Sequence, residues 1–495
     1  KEMPGLPDEP VVAKIGDRVI TARDFRNNYE TGFSHLKTGP NPKKTYLDYM
    51  IKEKLLALQG FQLGLDKSES VKLNEQQLFQ ELMVEALLDK EVKSKIKITP
   101  EEIRQEINKS KVSFKFRYWV EPTPEKARLV VADMRERGYA AVLDDIIYNN
   151  PERMINPKRY ETDYLTYLEV PAEVLNAIKD LPYGDISDPV ELNGKFFIFQ
   201  VLDIRRRAIT ENEYKAKAST FEQIIFYREY QKAITNYTVE MMQSKNVVTK
   251  GEAFNILARA LQEWLKIKPE IRELFPIAVK NATEERPALY KLKGNLSAIF
   301  ITYNKGDVTI GEFLPFINTA RLRRQPKDKT FKEVLNSEVK NAIRDYFFVK
   351  KAEKLGLQDS PKVKGELKLW RDKWVYNETR KYYAKDLKID EKEARQYFAR
   401  NKNRYKIRKD DEPAFSNFRR KAQQDAYRHQ LNLILQKEVE SLKKRYPVLI
   451  YRAVLDTIRV TDFGKSRGIN VQFFKGGTNR PALPVVDPLW EPLEE

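Results

Sequence analysis

Apolar side chains recur at helical spacing through most of this chain. In TYLDYMIKEKLLALQGFQLGL (45–65), Leu47, Ile51, Leu55 and Leu58 return every three or four positions, which predicts an amphipathic helix stopping near Gly64. Before it, VVAKIGDRVITARDF (11–25) carries two short apolar runs around a Gly16–Asp17 turn, then a helix start with Thr21 as N-cap and Asp24 at the third helical position. A charged helix follows to about Ser94. ITPEEIRQEINKS (98–110) then opens another helix, with Thr99 as N-cap, Pro100 at the first position and Glu102 at the third.

The spacing changes at residue 111. VSFKFRYWV (112–120) places Phe114, Phe116 and Tyr118 at alternate positions, as in a half-buried strand. EKARLVVADMRERGY (125–139) returns to helical spacing and stops near Gly138. A turn at Pro182–Gly184, a tight Asn193–Gly194 turn and the apolar run FFIFQVL (196–202) close the stretch as a hairpin. A strand, helices and a closing hairpin predict a small antiparallel sheet with helices packed on it. The expected fold class is α+β: mainly helical duplicated units with one inserted α/β domain at 111–207.

The duplication is read from three echoes at an offset of about 290 residues. KGDVTIGEF (305–313) repeats IGDRVITARDF, AEKLGLQDSPKVKGEL (352–367) repeats GFQLGLDKSESVKLNE, and DLKIDEKEARQYFARNKNRYK (386–406) repeats KSKIKITPEEIRQEINKSKVS. The helix before the second Leu-Gly-Leu carries Val339, Ile343, Tyr346 and Val349 on one face. A long helix closes each copy: 221–242, with the stripe Tyr227, Tyr230, Ile234, Tyr237 and Met241 read as core-facing, and 427–446. Between Arg404 and the second long helix the chain is too short and too charged for another inserted domain. The organisation that follows is a linker (1–10), unit 1 (11–110), the inserted domain (111–207), the returning helix of unit 1 (208–250), a helical connector (251–290), unit 2 without an insertion (291–460), and a proline-rich arm (461–495). In the arm, Pro481, Pro484, Pro488 and Pro492 favour extended backbone. Phe473, Phe474, Leu489 and Trp490 are its apolar anchors; it packs over its own chain, docks onto a partner, or is plainly disordered.

Composition narrows the chemistry. The 495 residues carry 90 basic and 72 acidic side chains, a net charge of +18 with both signs interspersed, so no basic patch of the kind that accompanies a nucleic-acid motif is expected, and no nucleic-acid partner. There is no cysteine, which removes disulfides, thiol catalysis and cysteine metal sites. The two histidines, His35 and His429, are far apart in sequence, so no histidine metal site is expected either. No phosphate-cradling glycine loop is present and no cofactor is expected.

The phrases AKIGDRVITARDF, a helix ending in Leu-Gly-Leu, and ITPEEI, in that order, resemble the N-terminal region of the SurA, PrsA and PpiD chaperones. GDISDPVELNGKFFIFQVLD (184–203) resembles the closing hairpin of their parvulin domain, and YLTYLEVPAEVLNAIKDL (164–181) the segment before it. The resemblance implies a periplasmic chaperone that holds unfolded envelope or outer-membrane proteins, with a lipid anchor or removed signal ahead of Lys1. It also implies peptidyl-prolyl isomerase activity, but the family's strands carry a histidine each, and this chain has Phe116 or Tyr118 and Phe196 in those stretches. The glycine-rich phrase usual before residue 164 is replaced by KRYETDYL (158–165). Catalytic residues are therefore not assigned, and enzymatic activity stays open. Phe116, Tyr118, Tyr164, Tyr167, Phe196 and Ile198 are the expected peptide-binding residues. Phe473, Phe474, Leu489 and Trp490 are the expected partner-binding residues of the arm, for a stoichiometric envelope-complex partner. Two other functions fit the residues: an active prolyl isomerase, and an accessory subunit of an envelope secretion or assembly machine.

Overall fold

The computed structural model describes residues 9–269, 272–323, 326, 328–406, 412–461 and 481–490. The chain divides into two compact units: one of Lys1–Lys90 with Thr238–Glu495, the other of Glu91–Tyr237. Its class is α+β, helices with, among the described residues, three small antiparallel sheets. Among the described residues no helix is long and apolar enough to cross a membrane.

The first copy of the repeat opens with a hairpin, β1 (Val11–Ile15) and β2 (Arg18–Thr21), and a helix, α1 (Ala22–Thr31). Thr21 caps α1 by a reciprocal pair of bonds with Asp24, a device worth ~1 kcal/mol. α2 (Pro42–Gln62) follows, with Leu47, Ile51, Leu55 and Leu58 all buried. Gly64 then takes a left-handed turn at φ 70°, which only glycine adopts without strain, and α3 (Glu69–Glu91) begins.

The inserted unit starts with α4 (Pro100–Lys109), capped by Thr99 and Glu102. Its sheet strands are β3 (Val112–Glu121), β4 (Leu165–Thr166), β5 (Val190–Leu192) and β6 (Lys195–Arg206), in the order β4-β3-β6-β5. α5 (Pro124–Arg137) and α6 (Tyr139–Asn149) cover one face, and α7 (Ala172–Ile178) covers the other. The Asn193–Gly194 turn joins β5 to β6, both residues at positive φ. α8 (Glu211–Gln243) then runs for 33 residues. The stripe expected to face a core does not do so as a whole: Tyr227 is 65% exposed, and the residues α8 buries are Phe221 and Ile225.

β7 (Val248–Thr249) leads into α9 (Gly251–Leu265), α10 (Phe275–Lys280) and α11 (Pro287–Gly294). The second copy repeats the first: β8 (Ile299–Tyr303), β9 (Gly306–Thr309), α12 (Ile310–Phe313), α13 (Thr319–Leu322) and α14 (Phe331–Lys354). Thr309 and Glu312 form the capping box of Thr21 and Asp24, and Gly356 repeats the left-handed turn at φ 69°. α15 (Pro361–Ala384) and α16 (Glu391–Arg400) follow, the latter boxed by Asp390 and Glu393 as α4 is by Thr99 and Glu102. α17 (Phe415–Arg445), β10 (Val448–Ile450) and α18 (Arg452–Thr457) complete the pass.

The expected pairing of returning segments with copies is reversed. β10, after the second long helix, adds to the first hairpin, with Ala13 opposite Ile450 and Ile15 opposite Val448. β7, after the first long helix, adds to the second hairpin, with Val248 opposite Thr302 and Thr249 opposite Ile301. The cores follow the strands. Leu431, Leu435, Val439 and Leu442 of α17 and Tyr376 of α15 are buried with the apolar face of α2. Met241, Met242 and Val247, with α9 to α11, pack into the core of β8, β9 and α14. Of residues 208–250, the first part of α8 does return to α4 of unit 1, Arg104 bonding Glu211 and Arg228 bonding Glu106, but its end and β7 join the second core and not the first as expected. The 251–290 connector is a layer of that second core, with Leu257, Leu261 and Trp264 at 0–1% exposure. α15 crosses to α2 so closely that a Cβ on Gly60 would lie 2.1 Å from Thr379 Oγ1.

Candidate functional site

The long strands β3 and β6 set the geometry of the inserted unit. Antiparallel pairing puts Trp119 opposite Ile198, Tyr118 opposite Phe199 and Glu121 opposite Phe196, with a bulge between Lys115 and Phe116. Side chains alternate between faces, so Phe114, Phe116, Tyr118, Phe197, Phe199 and Val201 pack toward α7. Trp119, Phe196 and Ile198 pack toward α5 and α6. The six residues expected to bind peptide are thus not brought together. Phe116 is 4% exposed and Ile198 0%, each inside a different core. Tyr118 and Tyr167 are half-buried on the α7 side, and Phe196 is half-buried on the other. Phe116 or Tyr118 does not pair across the sheet with Phe196; Trp119 and Arg117 share Phe196's face.

Tyr164 stands apart from these. Its hydroxyl donates to the Asp203 carboxylate and Arg205 lies 3.5 Å from its ring centroid. The hydrogen bond to Asp203 pushes the Tyr164 phenol up, and the same bond holds the Asp203 carboxyl below its usual range.

The structure instead brings together a ring cluster at the end of β3 and the start of β6. Tyr160 lies 5.7 Å from Tyr118 and 5.0 Å from Trp119, so it bridges the two faces at the strand end. Phe197 is 6.0 Å from Tyr118 and stacks on Phe199 at 6.2 Å. Tyr118, Tyr160 and Phe197 are half-buried, which leaves ring surface accessible. Tyr160, Trp119 and Phe197 were not among the expected residues. Strand alternation signals Phe197, which shares its face with Tyr118; no local pattern signals Tyr160, which sits in the KRYETDYL segment.

Beneath the cluster is a polar set. Arg117 Nε donates to Gln200 Oε1 at 2.6 Å, and its guanidinium lies 4.1 Å from the Tyr139 ring centroid. Tyr139 donates to the Tyr118 carbonyl at 2.7 Å, and Gln200 donates to the Gly184 carbonyl at 2.5 Å. Burial pushes the Tyr139 phenol far up, so it stays a protonated donor at neutral pH. The set fixes the sheet end under the rings. The chemistry on offer is apolar ring contact with a few hydrogen-bond donors. Residues 111–207 contain no histidine.

The arm was expected to pack on its own chain, to dock onto a partner, or to be disordered. Residues 481–490 take the first course. Val486 is 1% exposed and Trp490 2%, both in the core of α2 and α17. Asn28 Nδ2 donates to the Pro484 carbonyl at 2.7 Å, and the Val486 N–H donates to Asn28 Oδ1 at 3.1 Å. The Asp487 N–H donates to Glu53 at 2.7 Å, Tyr376 and Arg380 bond the Asp487 carboxylate, and Asn432 donates to the Leu489 carbonyl at 2.8 Å. Burial pushes the Glu53 carboxyl up, against the opposing pull of Lys373 at 2.7 Å. Trp490 is therefore an inward anchor, while Leu489 is half-buried and keeps part of its side chain accessible; Phe473 and Phe474 lie outside the described residues. The His429 ring lies 5.5 Å from that of Tyr397, tilted at 47°. Among the described residues no three His, Cys, Asp or Glu side chains cluster as metal ligands.

No protein-family model matches the chain, and no curated protein matches it. Among solved structures it is similar to a SurA-like chaperone of Campylobacter jejuni, at 16% identity and TM-score 0.23, over 49% of this chain and 100% of the other. The peptidyl-prolyl isomerase PrsA of Bacillus anthracis aligns at 12% identity and TM-score 0.22, over 39% and 96%. The foldase PrsA of Streptococcus pneumoniae aligns at 15% identity and TM-score 0.20, over 44% and 91%.

Proposed function

We propose that this protein is a holding chaperone for unfolded or partly folded envelope proteins, with the inserted unit as a peptide-binding module that does not accelerate prolyl rotation. The carrying observation is the half-buried ring cluster of Tyr118, Tyr160 and Phe197 in a unit without histidine. Aromatic faces hold extended apolar or proline-containing segments by area and ring contact, which tolerates many sequences. Prolyl rotation crosses a barrier of ~20 kcal/mol and needs a pocket that holds the ring while polar groups act on the amide. The donors beneath this cluster are engaged with one another and with the backbone. Tyr148 at 85% exposure and Met154 at 89% add apolar surface to the same unit. Residence in the periplasm and outer-membrane clients are part of this proposal, on the strength of the sequence resemblance.

The test has two arms. The full chain, without nucleotide, is added to an unfolding β-barrel protein and light scattering is followed; suppression at stoichiometric ratio is expected. In a proline-limited refolding assay, where the uncatalysed phase takes ~10–100 s, no acceleration is expected. Absence of suppression at several-fold excess defeats the holding function, and clear acceleration defeats the inactive-site claim.

A further inference from the structure

We propose that a cationic groove where α15, the loop before α16, and α17 meet the arm binds extended polypeptide segments that alternate carboxylates with bulky apolar side chains. The groove encloses about 880 Å³, within the ~300–1,000 Å³ of sites that enclose a ligand. Its floor is apolar: Leu387 and Ile389 from the loop before α16, Tyr427 and Leu431 from α17, and Leu489 from the arm. Its rim is basic. Arg420, Gln424 and Arg428 stand one turn apart on α17, beside the row of Tyr427 and Leu431, so one helix presents a cationic stripe and an apolar stripe side by side. Lys388 faces them from the α16 side.

The charges are unbalanced within the groove. Of its five cations, Arg380 is paired with Asp487, and Lys381 with Glu378 at 2.7 Å. Lys388, Arg420 and Arg428 are exposed and make no ion pair among the described residues. Asp487, the one carboxylate on the wall among the described residues, is already held by Arg380 and Tyr376. An occupant that buries apolar side chains on the floor and brings carboxylates to the rim meets both demands.

The arm supplies a worked instance of that chemistry. Asp487-Pro488-Leu489 lies along one wall as an acidic and apolar backbone, its carboxylate on Arg380 and its Leu489 carbonyl on Asn432. A second strand of the same character, laid beside it, reaches the three unpaired cations. The inference deepens the holding function by naming the client segment this unit selects, and it takes from that reading only that the ligand is a polypeptide.

The experiment uses the full chain and two fluorescein-labelled peptides of one apolar frame, one with Asp and Glu at alternate positions and one with Lys there. Anisotropy is expected to show the acidic peptide binding at least ~10-fold tighter, and weakening as salt rises. The double variant Arg420→Glu/Arg428→Glu, at exposed positions, is expected to remove that preference. Reversal of two other exposed cations, Lys291→Glu/Lys305→Glu, is expected to leave it. Equal binding of both peptides overturns the inference, as does an acidic peptide indifferent to the groove variant. Anionic vesicles that bind through Arg420 and Arg428 while the peptides do not also overturn it, in favour of a lipid site. No acidic-peptide preference in the wild-type chain, with its aggregation suppression present, counts against the groove alone; no suppression by the wild-type chain counts against the holding function.

Discussion

Truncating Trp490 to alanine tests whether the arm is part of a core. Trp490 is 2% exposed, is buried with α2 and α17, and has the Lys52 ammonium 5.4 Å from its ring centroid. Removing a buried tryptophan side chain costs ~3–5 kcal/mol. The neighbouring Asp487 and Leu489 contacts depend on the same ten-residue segment, which places the expected loss toward the upper end of that range. The readout is local: amide hydrogen exchange on the full chain, resolved by peptide. Protection is expected to fall by ~100-fold or more over residues 47–58 and 431–442, at 1.4 kcal/mol per factor of ten. Residues 112–206 are expected to exchange as before. A fall below ~5-fold over α2 and α17 would refute the core assignment, and so would an equal loss across the inserted sheet.

Three further outcomes follow from the fold. A fragment of residues 238–356 contains both β7 and the core of β8, β9 and α14, so it is expected to unfold cooperatively by circular dichroism; residues 291–460, which lack β7 and α9 to α11, are not. Gly60→Ala drives a Cβ to 2.1 Å from Thr379 Oγ1 and 2.6 Å from Val375 Cγ1, and is expected to lower unit stability by ~1–3 kcal/mol in urea titration; an unchanged midpoint would mean that α15 does not pack there. The Glu102, Glu312 and Glu333 carboxyls are held low by hydrogen bonds from the backbone and hydroxyls of Thr99, Thr309 and Thr330. Carboxyls lowered in the folded state stabilise above their unfolded pKa and lose that contribution as pH falls through the folded one. Helicity is therefore expected to decline below about pH 4.5, and the triple Glu→Gln variant to show a flatter acid limb.

Local chemistry was legible in the sequence, and pairings were not. The Thr21 and Thr99 caps, the Gly64 stop and the Asn193–Gly194 hairpin each depend on neighbours within a few residues, so their signals survive without tertiary context. The exchange of β7 and β10 had no such signal. Two copies of one unit offer two nearly equivalent edges, and either returning strand satisfies either edge locally. What decides is the connector: α9 to α11 fold into the second core, which holds β7 beside β8. The candidate site failed for a related reason. Phe116 and Phe196 were compared by position along their strands, but Phe116 pairs with Val201, five residues from Phe196, so period-two alternation sends the two to opposite faces. Tyr160 joins the rings only through the fold of the segment after α6.

The strand exchange sets an order of maturation during synthesis. The second core draws on residues 241–347 and can close soon after they emerge from the ribosome. The first core holds residues from Val12 to Trp490, so its opening hairpin and α2 wait until α17 and residues 481–490 have been made. At ~5–20 residues per second that interval is tens of seconds. Through it the apolar face of Leu47, Ile51 and Leu55 stays uncovered by α17, a nascent segment that itself needs shelter until that partner helix, far along the chain at Phe415–Arg445, arrives.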